Sequence, residues 1–291
     1  LAFSPSFIYF YNKNQFMLNI RWDVTPEIIE GWNTPNYYGL LFVTGLIIGY
    51  YVIRRMFRQE QIKDEVLDKL VLYVVIATIV GARLGHVFFY DWPLYKNNPM
   101  DIIKIWEGGL ASHGAAIALV VALCLFSKNK LQKPYLWLFD RISAPIAIAA
   151  CFIRLGNLMN SEIVGRPTDV PWAFEFIYYI NETTGQYDPT PRHPAQLYEA
   201  IMFVFIFAIL MYMFWKRKAW KQSGLLFGTF LILTFTGRFL IEFLKMGQTA
   251  FDESLAINTG QWLSVPFVIA GVIIIIWSFK NKSKEEIQPV N

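Results

Sequence analysis

Arg83, His113, Arg154, Arg238 and Glu242 are ionisable side chains inside stretches that are otherwise mostly apolar. An ionised residue near the centre of a membrane span costs roughly 2.5–3.5 kcal/mol on insertion scales, so each needs a partner or a use. Guanidinium groups offer planar paired donors that suit phosphate oxygens, and several of them at one depth suit a phospholipid headgroup. Structural readings stand beside this one. Arg83, in Gly-Ala-Arg-Leu-Gly, could snorkel from a glycine-rich packing face, and Arg238 and Glu242, at i and i+4, could simply pair. His113 suits helix packing as well as it suits catalysis.

Two longer polar clusters add to these. In RLGNLMNSEIVGR, Arg154 and Asn157 stand at i and i+3 where an apolar run ends, followed by Asn160, Glu162, Gly165 and Arg166. This pattern reads as a site for a charged headgroup, with Gly156 and Gly165 allowing close backbone approach. PRHPAQLYE puts Arg192 and His193 just before the next apolar run and Gln196 and Glu199 within it. It reads either as a proline-framed re-entry held by hydrogen bonds or as part of the chemistry. Tyr178 and Tyr179 read as interfacial anchors.

The elements that must position these groups follow from composition. The chain has 291 residues, 55% hydrophobic and 16% charged, with a mean hydropathy of +0.36. A soluble domain carries roughly 25% charge, so lipid is this chain's solvent; disorder, collagen-like order and a disulfide scaffold are excluded as well. Cys124 and Cys151 lie in apolar runs and read as packing residues. A helix rising about 1.5 Å per residue needs about 20 residues to cross a hydrocarbon core of about 30 Å. Seven such runs occur, near Tyr37–Phe57, Leu67–Tyr90, Gly109–Phe126, Tyr135–Leu155, Gln196–Trp215, Gly224–Leu244 and Gly260–Phe279. The expected fold is therefore an all-α polytopic membrane protein.

Basic residues fix the expected orientation. Arg54, Arg55, Arg58 and Lys63, then Lys128, Lys130 and Lys133, then Lys216, Arg217, Lys218 and Lys221, and finally Lys280, Lys282 and Lys284 fall on one side of a seven-span chain. That side reads as cytoplasmic, with the N-terminus outside and the C-terminus inside, and the five intramembrane ionisable groups then lie in the outer half of the bilayer. The net charge of +4 is a topology signal, and no basic, aromatic-interleaved stripe points to nucleic acid. Residues 1–36 read as an outer N-terminal segment, 37–279 as the spanning domain, and 280–291 as a solvated tail. The segment at about 156–195 reads as a small outer cap with short strands around Trp172–Ile180. Leu1–Phe16 lacks the pattern of a signal peptide and reads as an upstream extension.

Taken in order, the motifs YYG at Tyr38, GARLGHVFFYDW, GGLASHG with His113, RLGNLMNSEIVGR, RHPAQLYE, GRFLIEF and GQWLSVP resemble the prolipoprotein diacylglyceryl transferases from about Tyr37 to Phe279. The resemblance implies a seven-span bacterial inner-membrane enzyme. Its implied activity is transfer of a diacylglyceryl group from phosphatidylglycerol to the lipobox cysteine of a prolipoprotein. By matching positions it places His113, Arg154, Arg238 and Tyr38 in catalysis. Asn157, Gly165, Arg83, Asn160, Glu162, Arg166, His193, Gln196, Glu199 and Glu242 are placed in substrate binding. Three departures stand out: His113-Gly114-Ala115 replaces the usual HGG, Asn160-Ser161-Glu162 replaces NGE, and Thr234 stands where some members carry tyrosine.

The implied chemistry needs a thiolate nucleophile, for which His113 is the expected base or proton shuttle. Arg154 and Arg238 are expected to hold the phosphate, with Glu242 orienting Arg238 and Glu162 orienting Arg154 or Arg166. Partners are then phosphatidylglycerol, lipobox signal peptides and the bilayer, with no metal, cofactor or nucleic acid required. A retinal protein would need a lysine in the last span, and Gly260–Phe279 has none; adjacent Ser112 and His113 point about 100° apart on a helix and do not suit a serine protease. A lipid or anion transporter is the remaining alternative, and the sequence shows none of the internal repeats common in that class.

Overall fold

A computed structural model of the chain describes residues 20–29, 31, 35–104, 108–180, 185–246 and 257–287, the side chains of 112 and 282–287 excepted. The Leu1–Phe16 stretch and the side chains of Ser112, Lys282 and Lys284, all used above, lie outside the described residues.

In chain order the described elements are β1 (Ile20–Trp22), α1 (Tyr37–Gln59), α2 (Asp64–Phe89), the short α3 (Trp92–Asn97) and α4 (Ser112–Phe126, extended by a wider turn to Leu131). They continue with α5 (Tyr135–Met159), β2 (Phe174–Phe176), α6 (Ala195–Trp215), α7 (Leu225–Glu242) and α8 (Thr259–Ile287). Seven of these helices are long and apolar enough to cross a membrane. The chain is thus an all-α polytopic membrane protein, and the seven expected runs are found. Their ends shift by about a turn, except that α8 runs on to Ile287. Helix starts follow local chemistry: Asn36 Oδ1 accepts from the Gly39 N–H at 2.7 Å at the start of α1, and Asp64 and Glu65 open α2 against the positive end of its dipole. Leu46, Ile47, Ile76, Val121 and Ile273 keep about half or more of their surface uncovered, as apolar faces do when lipid is the solvent.

Two compact units are formed, one by Ile53–Ile142 and the other by Leu1–Val52 with Ser143–Asn291. In the first, α2 and α4 pack backbone to backbone. A Cβ on Gly85 would lie 2.6 Å from the Gly114 Cα, and one on Gly81 would lie 2.7 Å from the Gly114 carbonyl oxygen. Gly114 is therefore a contact position of α4 against α2. At another place in this unit, fully buried Arg141 is held by Glu60 at 2.7 Å and stacks on Trp137 at 4.2 Å.

In the second unit the same device recurs, since a Cβ on Gly271 of α8 would fall 2.8 Å from the Gly228 carbonyl of α7. The cap between α5 and α6 is built on a two-stranded parallel ladder, with Ile20 opposite Phe174 and Trp22 opposite Phe176. The strand expected within Trp172–Ile180 thus exists, but its partner comes from the N-terminal segment. Phe174 and Phe176 turn inward onto Leu158, Val164 and Tyr179. Tyr179 is accordingly not an interfacial anchor: it is 8% exposed, with the Arg192 guanidinium 4.9 Å over its ring. Tyr178 does stay exposed. Cys151 is buried and Cys124 half-buried, both as free thiols.

Candidate functional site

In the larger unit, the chain leaves α5 at Met159 and turns sharply through two residues with positive φ, Ser161 at 53° and Ile163 at 57°. The glycine usual in the second place of NGE suits this left-handed turn, and the serine here must adopt it at some strain. The chain then threads Gly165 between two other segments. The Gly165 N–H donates to the His193 carbonyl at 2.9 Å, and a Cβ there would fall 2.8 Å from the Leu244 carbonyl. The Arg166 N–H donates to that same Leu244 carbonyl at 2.8 Å, while its Nε donates to the Lys245 carbonyl at 2.8 Å. No side chain fits at 165, and the ends of α5, α6 and α7 are stitched together there.

The side chains at this junction form one network. Arg154 Nε lies 2.9 Å from Glu199 Oε2, an ion pair by distance although not aligned as a hydrogen bond. Its Nη1 donates to Asn157 Oδ1 at 3.3 Å. Asn157 and Asn160 in turn donate to Glu162 Oε1 at 2.7 and 3.2 Å. The other oxygen of Glu199, Oε1, is 2.8 Å from the Lys245 ammonium, which stands 3.5 Å from Glu242 Oε2. Asn258, just before α8, donates to Glu242 Oε1 at 3.3 Å. Tyr38 packs its ring on Gly156, where a Cβ would sit 2.7 Å from it, and is within electrostatic reach of Arg154 and Glu162.

Two expected pairings are corrected by this geometry. Glu242 does not hold Arg238: the turn after α7 brings Lys245 and Asn258 onto the carboxylate, and a buried carboxylate is satisfied by the cation and donor that reach it. Glu162 does not pair with Arg154 or Arg166. It accepts from the two asparagines and touches Arg154 only through Asn157, while Glu199 is the direct partner. Among the described residues Arg238 makes no ion pair, and its buried Nε has no hydrogen-bond partner.

The PRHPAQLYE segment is mostly scaffold, with Glu199 as its one member in the charged network. Arg192 pairs with Asp188 and lies against the Met246 sulfur at 2.7 Å. His193 Nδ1 meets Tyr198 Oη at 3.1 Å, that hydroxyl accepts from Trp172 Nε1 at 2.8 Å, and burial holds the His193 imidazole below its ordinary pKa. Gln196 is fully buried and donates to the Glu162 carbonyl. Thr234 is buried, and its hydroxyl finds no partner among the described residues.

Arg83 and His113 belong to the smaller unit. Arg83 is 4% exposed. Its donors go to four carbonyls: Ile102 at 2.8 Å, Gly108 at 2.5 Å, Gly109 at 3.3 Å and Asp101 at 2.6 Å, and its guanidinium lies 5.0 Å from the Tyr95 ring centre. That is the geometry of a packed arginine clamping the α2–α4 connection. His113 is exposed at the start of α4, with Nε2 2.7 Å from Tyr90 Oη. Nearby, His86 Nε2 lies 2.8 Å from Asp91 Oδ2, and the His86 ring stacks on Tyr90 at 5.9 Å.

Sequence reasoning missed Lys245, Asn258 and Tyr90. Tyr90 was in view within GARLGHVFFYDW, and Lys245 stands three residues after Glu242, a spacing that places a cation beside a carboxylate. Nothing local pointed to Asn258, which arrives from another helix.

Fold and site together define a multi-pass membrane protein with a buried charge network where its spans end and, four residues before Glu242 on α7, an arginine with no protein counter-ion among the described residues. The chain belongs to the prolipoprotein diacylglyceryl transferase family, whose pattern matches residues 29–277. It is 46% identical over 264 residues to the phosphatidylglycerol–prolipoprotein diacylglyceryl transferase of Tolumonas auensis, covering 90% of this chain and 99% of that one. Proteins of the same description from Chloroherpeton thalassium and Porphyromonas gingivalis are 42% and 44% identical, covering 92% and 90% of this chain and 97% and 95% of theirs.

Proposed function

We propose that this protein transfers the sn-1,2-diacylglyceryl group of phosphatidylglycerol to the thiol of a lipobox cysteine in prolipoproteins. Family membership and the activity named in its relatives support the reading. The single structural observation that favours it is Arg238: a guanidinium within a span, with no carboxylate partner among the described residues, calls for an anion from elsewhere. A lipid phosphate supplies one.

In the reaction the sulfur forms a bond to the glycerol carbon that carries the phosphate, the C–O bond to phosphate breaks, and glycerol phosphate leaves. The thiol proton passes to His113, whose Nε2 is already in a hydrogen bond with Tyr90. Arg154 and Arg238 hold the phosphate and stabilise the charge that grows on the leaving group, an electrostatic contribution of the kind that dominates many enzymes. Asn157 and Tyr38 position the headgroup through neutral hydrogen bonds. Glu162, itself held by Asn160, holds Asn157, Glu199 holds Arg154, and Gly165, Arg166, His193, Gln196 and Glu242 keep the surrounding segments in register. Arg83 supports the helix carrying His113 by bracing the preceding loop.

The protein works in the bacterial inner membrane, with the N-terminus and the 156–195 cap outside and the C-terminus in the cytoplasm; the basic residues of the connecting segments favour this orientation. Incubation of the purified protein with phosphatidylglycerol and a lipobox peptide should raise the peptide's mass by one diacylglyceryl group. A peptide of unchanged mass overturns the reading and leaves a transporter. His113→Gln is expected to slow transfer strongly, and a parental rate in that variant removes His113 from the chemistry.

A further inference from the structure

Lys245 stands in no motif of the sequence, yet the network turns on it. Its carbonyl accepts from Arg166 Nε, its backbone bridges to Gly165, and its ammonium meets Glu199 at 2.8 Å and Glu242 at 3.5 Å. Only 6% of its surface is exposed. An ammonium taken out of water this far persists only where carboxylates compensate it, and removing one member of such a buried set leaves the others uncompensated.

The division of Glu199 is the informative detail. One oxygen goes to Lys245 and the other to Arg154, so neither cation commands the whole carboxylate. Among the described residues Arg154 has Asn157 as its side-chain hydrogen-bond partner, through Nη1, and its Nη2 has none. Without the ammonium, Glu199 would be left with Arg154 as its one paired cation and Glu242 with none, and the charge of Arg154 would be spent on Glu199.

We infer that Lys245 is a positioning residue for Arg154, acting through Glu199: it takes up one oxygen of Glu199 and neutralises Glu242, so that Arg154 keeps its place and its charge for the lipid phosphate. The inference rests on the reading of Arg154 as part of the phosphate clamp. Lys245 itself touches no substrate in this scheme.

The test uses the purified full-length chain with phosphatidylglycerol mixed micelles and a lipobox peptide, read by mass spectrometry. Lys245→Met should lower kcat at least tenfold, and Lys245→Arg, which restores the cation, should keep at least a tenth of the parental kcat. In a Glu199→Gln background, where Lys245 has lost the group it acts through, adding Lys245→Met should cost less than a further threefold. A smaller loss in Lys245→Met, or single losses that multiply in the double variant, overturns the inference while parental transfer still stands. If Lys245→Met does not fold, Lys245→Arg carries the test, and a folded Lys245→Arg below a tenth of parental kcat overturns it. Failure of the parental chain to transfer at all is a different result and overturns the transferase reading itself.

Discussion

Arg83 and Arg238 are both arginines in apolar spans, and from sequence either one suits a phosphate. Their surroundings differ in kind. Arg83 in the smaller unit is closed in by four carbonyls and an aromatic ring, whereas Arg238 in the larger unit has no counter-ion among the described residues and a buried Nε without a partner. A guanidinium whose donors are consumed by backbone is committed to the fold, and one left with spare donors in low dielectric is prepared for an anion. The residue type sets the capacity, and the neighbours decide whether it is already used.

The sharpest way to break this contrast is to remove each arginine and read activity and stability separately. Arg154→Ala and Arg238→Ala should each lower transfer by about 10²–10³-fold, the usual cost of losing one donor to a developing anion; Arg238→Ala should leave Tm little changed, whereas Arg154→Ala, which takes a cation from buried Glu199, should lower it. Near-normal turnover in both would end the phosphate-clamp assignment. Arg83→Met should act the other way round, destabilising the protein by on the order of 2–4 kcal/mol because buried carbonyls lose their donor. A Tm equal to the parent's, together with lost transfer, would make Arg83 a ligand after all.

Arg192 in the cap is an intermediate case, since it pairs with the carboxylate of Asp188. Hydrogen bonding from the Thr190 hydroxyl, aided by Arg192, holds Asp188 down to about 2. Its folded pKa is below its unfolded value of about 3.9, so its contribution is fully present above about pH 4 and fades as pH falls through about 2. Thermal unfolding of Asp188→Asn against the parent should show a gap at neutral pH that closes in acid; a gap constant down to pH 2 would contradict the pairing. The smallest expected effect is at the turn leading into the Arg154 network. Ser161→Gly relieves a positive φ of 53° and should raise stability by up to about 1 kcal/mol without altering transfer; destabilisation would mean the serine is held there by something other than the turn.

Much of the site's membership was readable because its motifs are contiguous. RLGNLMNSEIVGR carries both the arginine and the asparagines that surround Glu162, and PRHPAQLYE carries the Glu199 that pairs with Arg154. The pairings were less readable. Helical spacing placed Glu242 beside Arg238, but the turn after α7 delivers Lys245 and the start of α8 delivers Asn258, and both reach the carboxylate. Local periodicity describes one helix at a time, so a partner arriving from a turn or another helix is invisible to it.

The sequence by itself determined the class of fold and the positions of the spans, because apolar length and low charge are sufficient physical conditions for a helix to prefer lipid, and basic flanks bias its orientation. It also placed glycines where backbones meet, as at Gly114 and Gly165. Only the tertiary structure decided which charges were spent. It closed carbonyls around Arg83, divided Glu199 between Arg154 and Lys245, and gave Glu242 to Lys245 instead of Arg238. The division of Glu199 depends on distances of about 3 Å between residues far apart in the chain, and the Glu242–Lys245 contact on the turn that follows α7; in a low-dielectric interior such distances decide which group an ion belongs to.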